Sequence, residues 1–351
     1  MNKENDLDVI KEIEEIITTD QHFKKGNATV SVADSGLGRT KVIFQTGNNS
    51  DKIADATYAP KRKYVMRFPD EEQLKENPGY YVLTGCKPEK PFITRNHNIT
   101  ALGSCFAENI TKYISQLGFK ANKEKENFGH LHLFRYGAEF YNTFSIRQQF
   151  AWALENEKVM DGTWYDESGV KIVPSEQLKF NTQEILLNTD VFIITFGGTQ
   201  IYRNKNGEVA WRKFSPKNSG FESDDWFFEL SNTQQNENNI NDIYKIIRKH
   251  IPNATIIFTV SPVAMKATFL NNTSSVCANM QSKSTLRSSL GDFFQKNKED
   301  KNLFYWPSYE CIWYWLPSIG MRSFETDLRH PENAGVAAIM TLFKKYFLVQ
   351  E

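Results

Sequence analysis

Hydrophobic positions follow one rhythm after about residue 91. Short apolar runs alternate with stripes at helical spacing. "ITAL" at 99–102 leads into a segment whose Ile110, Tyr113, Ile114 and Leu117 fall at i, i+3, i+4 and i+7, one face of a helix. "TDVFIITFGG" (189–198) and "ATIIFTVSP" (254–262) are continuous apolar runs, as expected of strands buried on both faces of a parallel sheet. Ile240, Ile243, Ile246 and Ile247 predict a helix over 238–250, and "SKSTLRSSLGDFFQ" (282–295) a second. "NLFYWPS" reads as a strand and "ENAGVAAIMTLFKKYF" as a final amphipathic helix. Strands separated by helices predict a three-layer α/β/α sandwich around a mainly parallel sheet with right-handed crossovers.

Residues 1–90 lack this rhythm. Leu7, Ile10, Ile13 and Ile16 suggest an acidic helix near 5–18, followed by short strands such as "ATVSV" and "TKVIFQT" and a proline-punctuated polar stretch. The expected organisation is an N-terminal extension or small appended domain (1–90) and a larger α/β domain (91–351).

Lysine plus arginine balance aspartate plus glutamate at 42 each, so neither nucleic acid nor an anionic membrane is called for as partner. The charged N-terminus "MNKENDLDVIKEIEE" has no signal-peptide core, and no apolar run reaches membrane-spanning length. Cys86, Cys105, Cys277 and Cys311 are scattered and form no CxxC pair. A cytoplasmic protein is the expectation, with oligomeric state left open. The aromatic cluster around Trp313 and Trp315 reads as core ahead of an exposed stacking surface.

The apolar run "ITAL" ends at Gly103-Ser104-Cys105, where a helix begins. In open α/β sheets, ligands bind beyond the carboxyl ends of the strands. Two other strand ends carry Gly197-Gly198-Thr199-Gln200 and Ser261-Pro262. A serine nucleophile needs a base and a group that orients the base. Of six histidines, His330 in "TDLRHPENAG" stands three residues after Asp327, a spacing that lets the carboxylate accept from the imidazole. His130 and His132, as H-x-H, could instead share one strand face and hold a metal. Cys105 competes with Ser104 as nucleophile but reads as packing. Arg203, Lys283 and Arg287 are candidates for binding an anionic group such as a carboxylate, sulfate or CoA phosphate.

"GSCFA" at 103–107 resembles the pentapeptide for which the GSCFA family is named, a family related to the SGNH (GDSL-like) esterases and acyltransferases. "YNTFSI", "TFGGTQIYRNKNGEVAW", "TVSPVAMKATF", "ANMQSKSTLR", "YWPSYE" and "DLRHP" are similar to that family as well, from about residue 91 to the C-terminus. The resemblance implies Ser104 as nucleophile, His330 as base and Asp327 as its partner. It implies an oxyanion hole from the Ser104 N–H, a glycine (Gly137) and Asn142. The family block G-x-N-D reads Gly197-Gly198-Thr199-Gln200 here, so Thr199 or Gln200 is a further candidate donor. The expected activity is a serine esterase or O-acyltransferase, with acetyl ester chemistry on a bacterial saccharide. No resident cofactor is implied, and acetyl-CoA enters only as a transferase's acyl donor. The competing readings are a metal-dependent hydrolase at His130/His132 and a non-catalytic carbohydrate-binding module.

Overall fold

The computed structural model describes residues 29–34, 39–45, 53–60, 68–121, 142–158, 175–210 and 226–350. The chain divides into two compact units, Met1–Pro69 and Asp70–Glu351. In the first, β1 (Thr29–Asp34), β2 (Arg39–Gln45) and β3 (Ile53–Pro60) form an antiparallel sheet in that order. Two of its strands overlap the predicted "ATVSV" and "TKVIFQT". The predicted helix near 5–18 lies outside the described residues.

The second unit begins at Asp70, ahead of the boundary expected near residue 90. Leu74 and Leu83 belong to its apolar core. Asp70 starts α1 (Glu71–Glu76) through a capping box with Gln73, and α2 (Pro78–Tyr81) follows.

Its central sheet is parallel, with strand order β4 (Ile99–Gly103), β5 (Val191–Phe196), β8 (Thr255–Val260), β9 (Leu303–Trp306). These are the four apolar runs read from the sequence. β4, β5 and β8 are buried at every position. Alternate residues face opposite ways: Phe192, Ile194 and Phe196 enter one apolar cluster, Val191 and Ile193 the other. The first cluster takes in α4 (Thr143–Leu154), α5 (Glu176–Leu187), α6 (Thr233–His250) and α7 (Ser275–Lys296). The second takes in α3 (Cys105–Gln116) and α8 (Asn333–Phe347). Helices therefore cover both faces of the sheet, the expected three layers.

Two helices escaped prediction for one reason. α4 is buried along nearly its whole length, from Thr143 to the Phe150–Leu154 run, and shows no polar stripe to mark a period. α5 carries only Thr182, Ile185 and Leu186 inward. A small hairpin of β6 (Gln200–Asn204) and β7 (Trp226–Leu230) also leaves the sheet just after β5.

After β9 the chain runs helically from Ser308 to Ser318 and passes through a π turn at Cys311–Trp315. Here Trp315 is buried and its indole N–H donates to the Leu74 carbonyl, while Tyr314 is exposed. Trp313 donates to the Pro262 carbonyl at 3.0 Å and packs on Phe324 with ring centroids 4.7 Å apart. The aromatic cluster is thus mainly structural, as expected. Among the described residues, no helix is long and apolar enough to cross a membrane.

Candidate active site

A cavity of about 240 Å³ opens at the carboxyl ends of β4, β5 and β8. Ser104 and Cys105 line it after β4, Gly197, Gly198, Gln200 and Tyr202 after β5, Ser261, Val263 to Ala267 and Phe269 after β8, and Arg329 and His330 before α8. The strand-end convergence expected from the sequence is the observed geometry.

Gly103 is what allows Ser104 its place. Its φ is +114°, and a side-chain carbon there would lie 2.0 Å from the Thr195 carbonyl oxygen of the neighbouring strand. Only glycine tolerates that approach and that angle. The chain leaves the sheet, and Ser104 becomes the N-cap of α3 in extended conformation. Its Oγ accepts from the Phe106 N–H at 3.3 Å, which leaves the hydroxyl proton available to a base. Ser104 is 4% exposed.

His330 sits in a turn organised by Asp327. One Asp327 oxygen accepts from the Arg329 and His330 backbone N–H groups at 2.9 and 3.0 Å, and the other meets His330 Nδ1 at 2.6 Å. These hydrogen bonds hold the Asp327 carboxyl well below the usual carboxylate range. Leu328 takes a left-handed φ of 55° to close the turn. Nδ1 is occupied, so Nε2 is the nitrogen left for chemistry. The turn is anchored by Glu325 N–H to the His330 carbonyl and by Glu332 N–H to that of Ser323. Arg329 reaches across to the Ala264 and Met265 carbonyls and ties this turn to the loop after β8.

Several expected roles are corrected. The Ser104 N–H donates to the Thr195 carbonyl at 3.1 Å, so it is spent inside the sheet rather than offered to an oxyanion. Asn142 does not line the cavity; its Oδ1 caps α4 through Ser145 N–H, and its Nδ2 donates to the Gln200 carbonyl. The Gln200 amide is committed to the Ala267 carbonyl and Met265 sulfur. Thr199 is fully buried and absent from the lining, while Gly198 is part of it. Arg203 is paired with Glu229 and the Gly207 carbonyl, and Arg287 with Glu310 and the face of Tyr305. Neither arginine lines the cavity. Lys283 is 1% exposed and donates to the Gly197 carbonyl, so it is no surface anion site. Cys105 lines the cavity as the first residue of α3, not as buried packing.

Gly137, His130 and His132 lie outside the described residues. Among the described residues, no cluster of three or more His, Cys, Asp or Glu side chains is placed to hold a metal. Sequence reading missed the residues after β8. Val263, Ala264, Met265, Ala267 and Phe269 form one wall; the sequence marked them only as part of the family-like stretch "TVSPVAMKATF", with no role assigned. Phe269 packs edge-on to Phe228 and tilted against Tyr202, with centroids 5.4 and 6.5 Å apart.

The GSCFA family model matches residues 98–343, and the chain belongs to that family. No curated protein matches the sequence. Among solved structures, a Clostridium thermocellum family 3 carbohydrate esterase is similar at 13% identity, covering 72% of this chain and 95% of that one, TM-score 0.33. An acetyl esterase variant with acetate ion is similar at 9% identity, covering 70% and 93%, TM-score 0.35. A Corynascus carbohydrate esterase family 2 enzyme with a carbohydrate-binding domain is similar at 11%, covering 91% and 88%, TM-score 0.30. At such low scores the likeness carries no weight on activity.

Proposed function

We propose that this GSCFA-family protein is a serine-dependent ester hydrolase or O-acyltransferase, acting through an acyl-Ser104 intermediate. The observation that carries the reading is that the N-cap serine and an Asp327-anchored His330, far apart in sequence, line one cavity. In the first step His330 Nε2 takes the Ser104 proton as Oγ bonds to the ester carbonyl carbon, and the carbonyl π electrons move onto oxygen. Collapse of that oxyanion breaks the bond to the alkoxide, which leaves with the proton from His330. Water or an acceptor hydroxyl then repeats the sequence on the acyl-enzyme. Asp327 keeps Nδ1 occupied and stabilises the imidazolium.

The acyl acceptor or alcohol in this reading is a saccharide. The Tyr202 and Phe269 rings on the cavity wall support it, because an apolar ring face suits the C–H face of a sugar. Hydrolysis and transfer share every step on the protein and differ only in which hydroxyl attacks the acyl-serine.

The test is labelling by a fluorophosphonate. Wild type and Cys105→Ala are expected to label, and Ser104→Ala and His330→Ala are not. Labelling that persists in Ser104→Ala and disappears in Cys105→Ala would overturn the assignment in favour of the thiol.

A further inference from the structure

Lys283 is the least expected side chain near the cavity. It stands inside α7, fully buried, and its ammonium donates to the Gly197 carbonyl. No carboxylate among the described residues pairs with it. A buried cation without a counter-ion is costly, and here burial lowers its pKa to about 7. The next feature to explain is its sole described hydrogen-bond acceptor, a main-chain carbonyl at the end of β5.

The turn after β5 is gripped on both sides of Gly198. The Gly197 carbonyl accepts from Lys283, and the Thr199 N–H donates to Ser282 Oγ at 2.8 Å, so adjacent residues of one helix hold both. The Thr199 carbonyl accepts from the Ser231 N–H and hydroxyl, and the Ser261 N–H donates to the Phe196 carbonyl. Ser231 is itself held by Asn236, which receives a hydrogen bond from Thr143 at the start of α4. Among the described residues, the Gly198 N–H has no hydrogen-bond partner, and the buried Thr199 hydroxyl beside it, which does not line the cavity, also lacks one. Gly198 is buried yet lines the cavity.

The Gly197 carbonyl and the Gly198 N–H belong to one peptide unit. In a trans peptide the two point in opposite directions, and no cis peptide occurs in the described chain. Lys283 lies behind the turn and does not line the cavity, whereas both glycines do. We infer that Lys283 is a positioning residue that fixes and polarises the Gly197–Gly198 peptide, so that the Gly198 N–H serves as an oxyanion donor for the ester reaction at Ser104. The Lys283 Nζ–H on the carbonyl oxygen draws electron density from the amide, most strongly when the amine is protonated, and makes the Gly198 N–H a stronger donor. It also prevents the flip that two consecutive glycines would otherwise permit. This supplies by main chain what the Asn142, Thr199 and Gln200 side chains do not. The inference rests on the proposed serine chemistry.

The experiment compares wild type, Lys283→Met, Lys283→Arg and Ser282→Ala on p-nitrophenyl acetate and its thionoacetate analogue, with the fluorophosphonate labelling rate of Ser104 as an assay independent of the ester. An oxyanion donor favours developing negative charge on oxygen over sulfur, so a weakened donor lowers kcat on the oxo ester more than on the thiono ester. Lys283→Met is expected to lose about 10–100-fold in kcat on the oxo ester with KM little changed, and about tenfold in the oxo/thiono ratio. Ser282→Ala, which releases the other side of the same turn, shifts the ratio in the same direction by less. This variant keeps the test decisive if Lys283→Met does not fold. Lys283→Arg is expected to restore part of the ratio. Equal losses on both esters, with an unchanged ratio in folded variants, would overturn the inference and make Lys283 merely structural. Activity or labelling that survives Ser104→Ala sinks the serine reading instead, whatever Lys283 does.

Discussion

The two ends of the cavity are built in opposite ways. The Asp327–His330 turn is exposed and local: its side chains are 41% and 45% exposed, and the hydrogen bonds that Asp327 accepts join residues three or fewer positions apart. The Gly197–Thr199 turn is buried and held from a distance, by α7, by Ser231 and Asn236, and by the strand end at Ser261. A local turn can place a base with few residues, and its sequence spacing advertises it. A turn held inside a core needs partners from several elements distant from it in sequence, here Ser231, Ser261 and the Ser282–Lys283 pair.

The comparison can be broken at several points. The largest loss is expected for Ser104→Ala and His330→Ala, where turnover falls by about 10⁴-fold or more in steady-state kinetics. Asp327→Asn leaves the shape but favours the wrong imidazole tautomer, so kcat should fall about 10³-fold while far-UV circular dichroism is unchanged. Because Asp327 titrates below its usual range when folded, its contribution is present above the unfolded carboxylate pKa and lost as pH falls through and below it. Gly103→Ala forces a side-chain carbon against the Thr195 carbonyl at a φ of +114°. It should cost at least about 3 kcal/mol in denaturant unfolding and about 10²-fold in kcat, through displacement of Ser104.

The buried side has its own pH signature. Lys283 has a pKa lowered from 10.5 to about 7 by burial. Between these values the unfolded chain holds a proton that the folded chain has released, so this group makes stability rise with pH across that window. Lys283→Met removes the slope. The variant should gain stability relative to wild type below pH 7, and the difference should shrink by roughly 3–5 kcal/mol toward pH 10 in parallel denaturation series. The smallest effect is expected for Arg203→Ala. Its partly exposed pair with Glu229 is worth about 1 kcal/mol or less, and kcat/KM should stay within about twofold. A large rise in KM for an acidic substrate would restore Arg203 as an anion site.

The same contrast explains what the sequence disclosed. The four parallel strands were legible because strands buried on both faces are unbroken apolar runs. His330 and Asp327 were legible because their partnership is a spacing. Lys283 looked like an anion binder, since a lysine one turn from an arginine does not reveal which side of its helix enters the core. Asn142 looked like a free donor, although its place before Thr143 makes it a helix cap. The wall after β8 carries no periodicity, and it is defined by the Arg329 and Gln200 hydrogen bonds that fold it over the cavity.

The central claim is that Ser104 carries the acyl group. An acid quench of wild type and His330→Ala during reaction with an acetyl ester, followed by peptide mass spectrometry, tests it most directly. The account predicts acetyl on the Ser104 hydroxyl in wild type and none in His330→Ala. Acetyl found on Cys105, or turnover with no acyl-enzyme at Ser104 under conditions that trap one elsewhere, would contradict it.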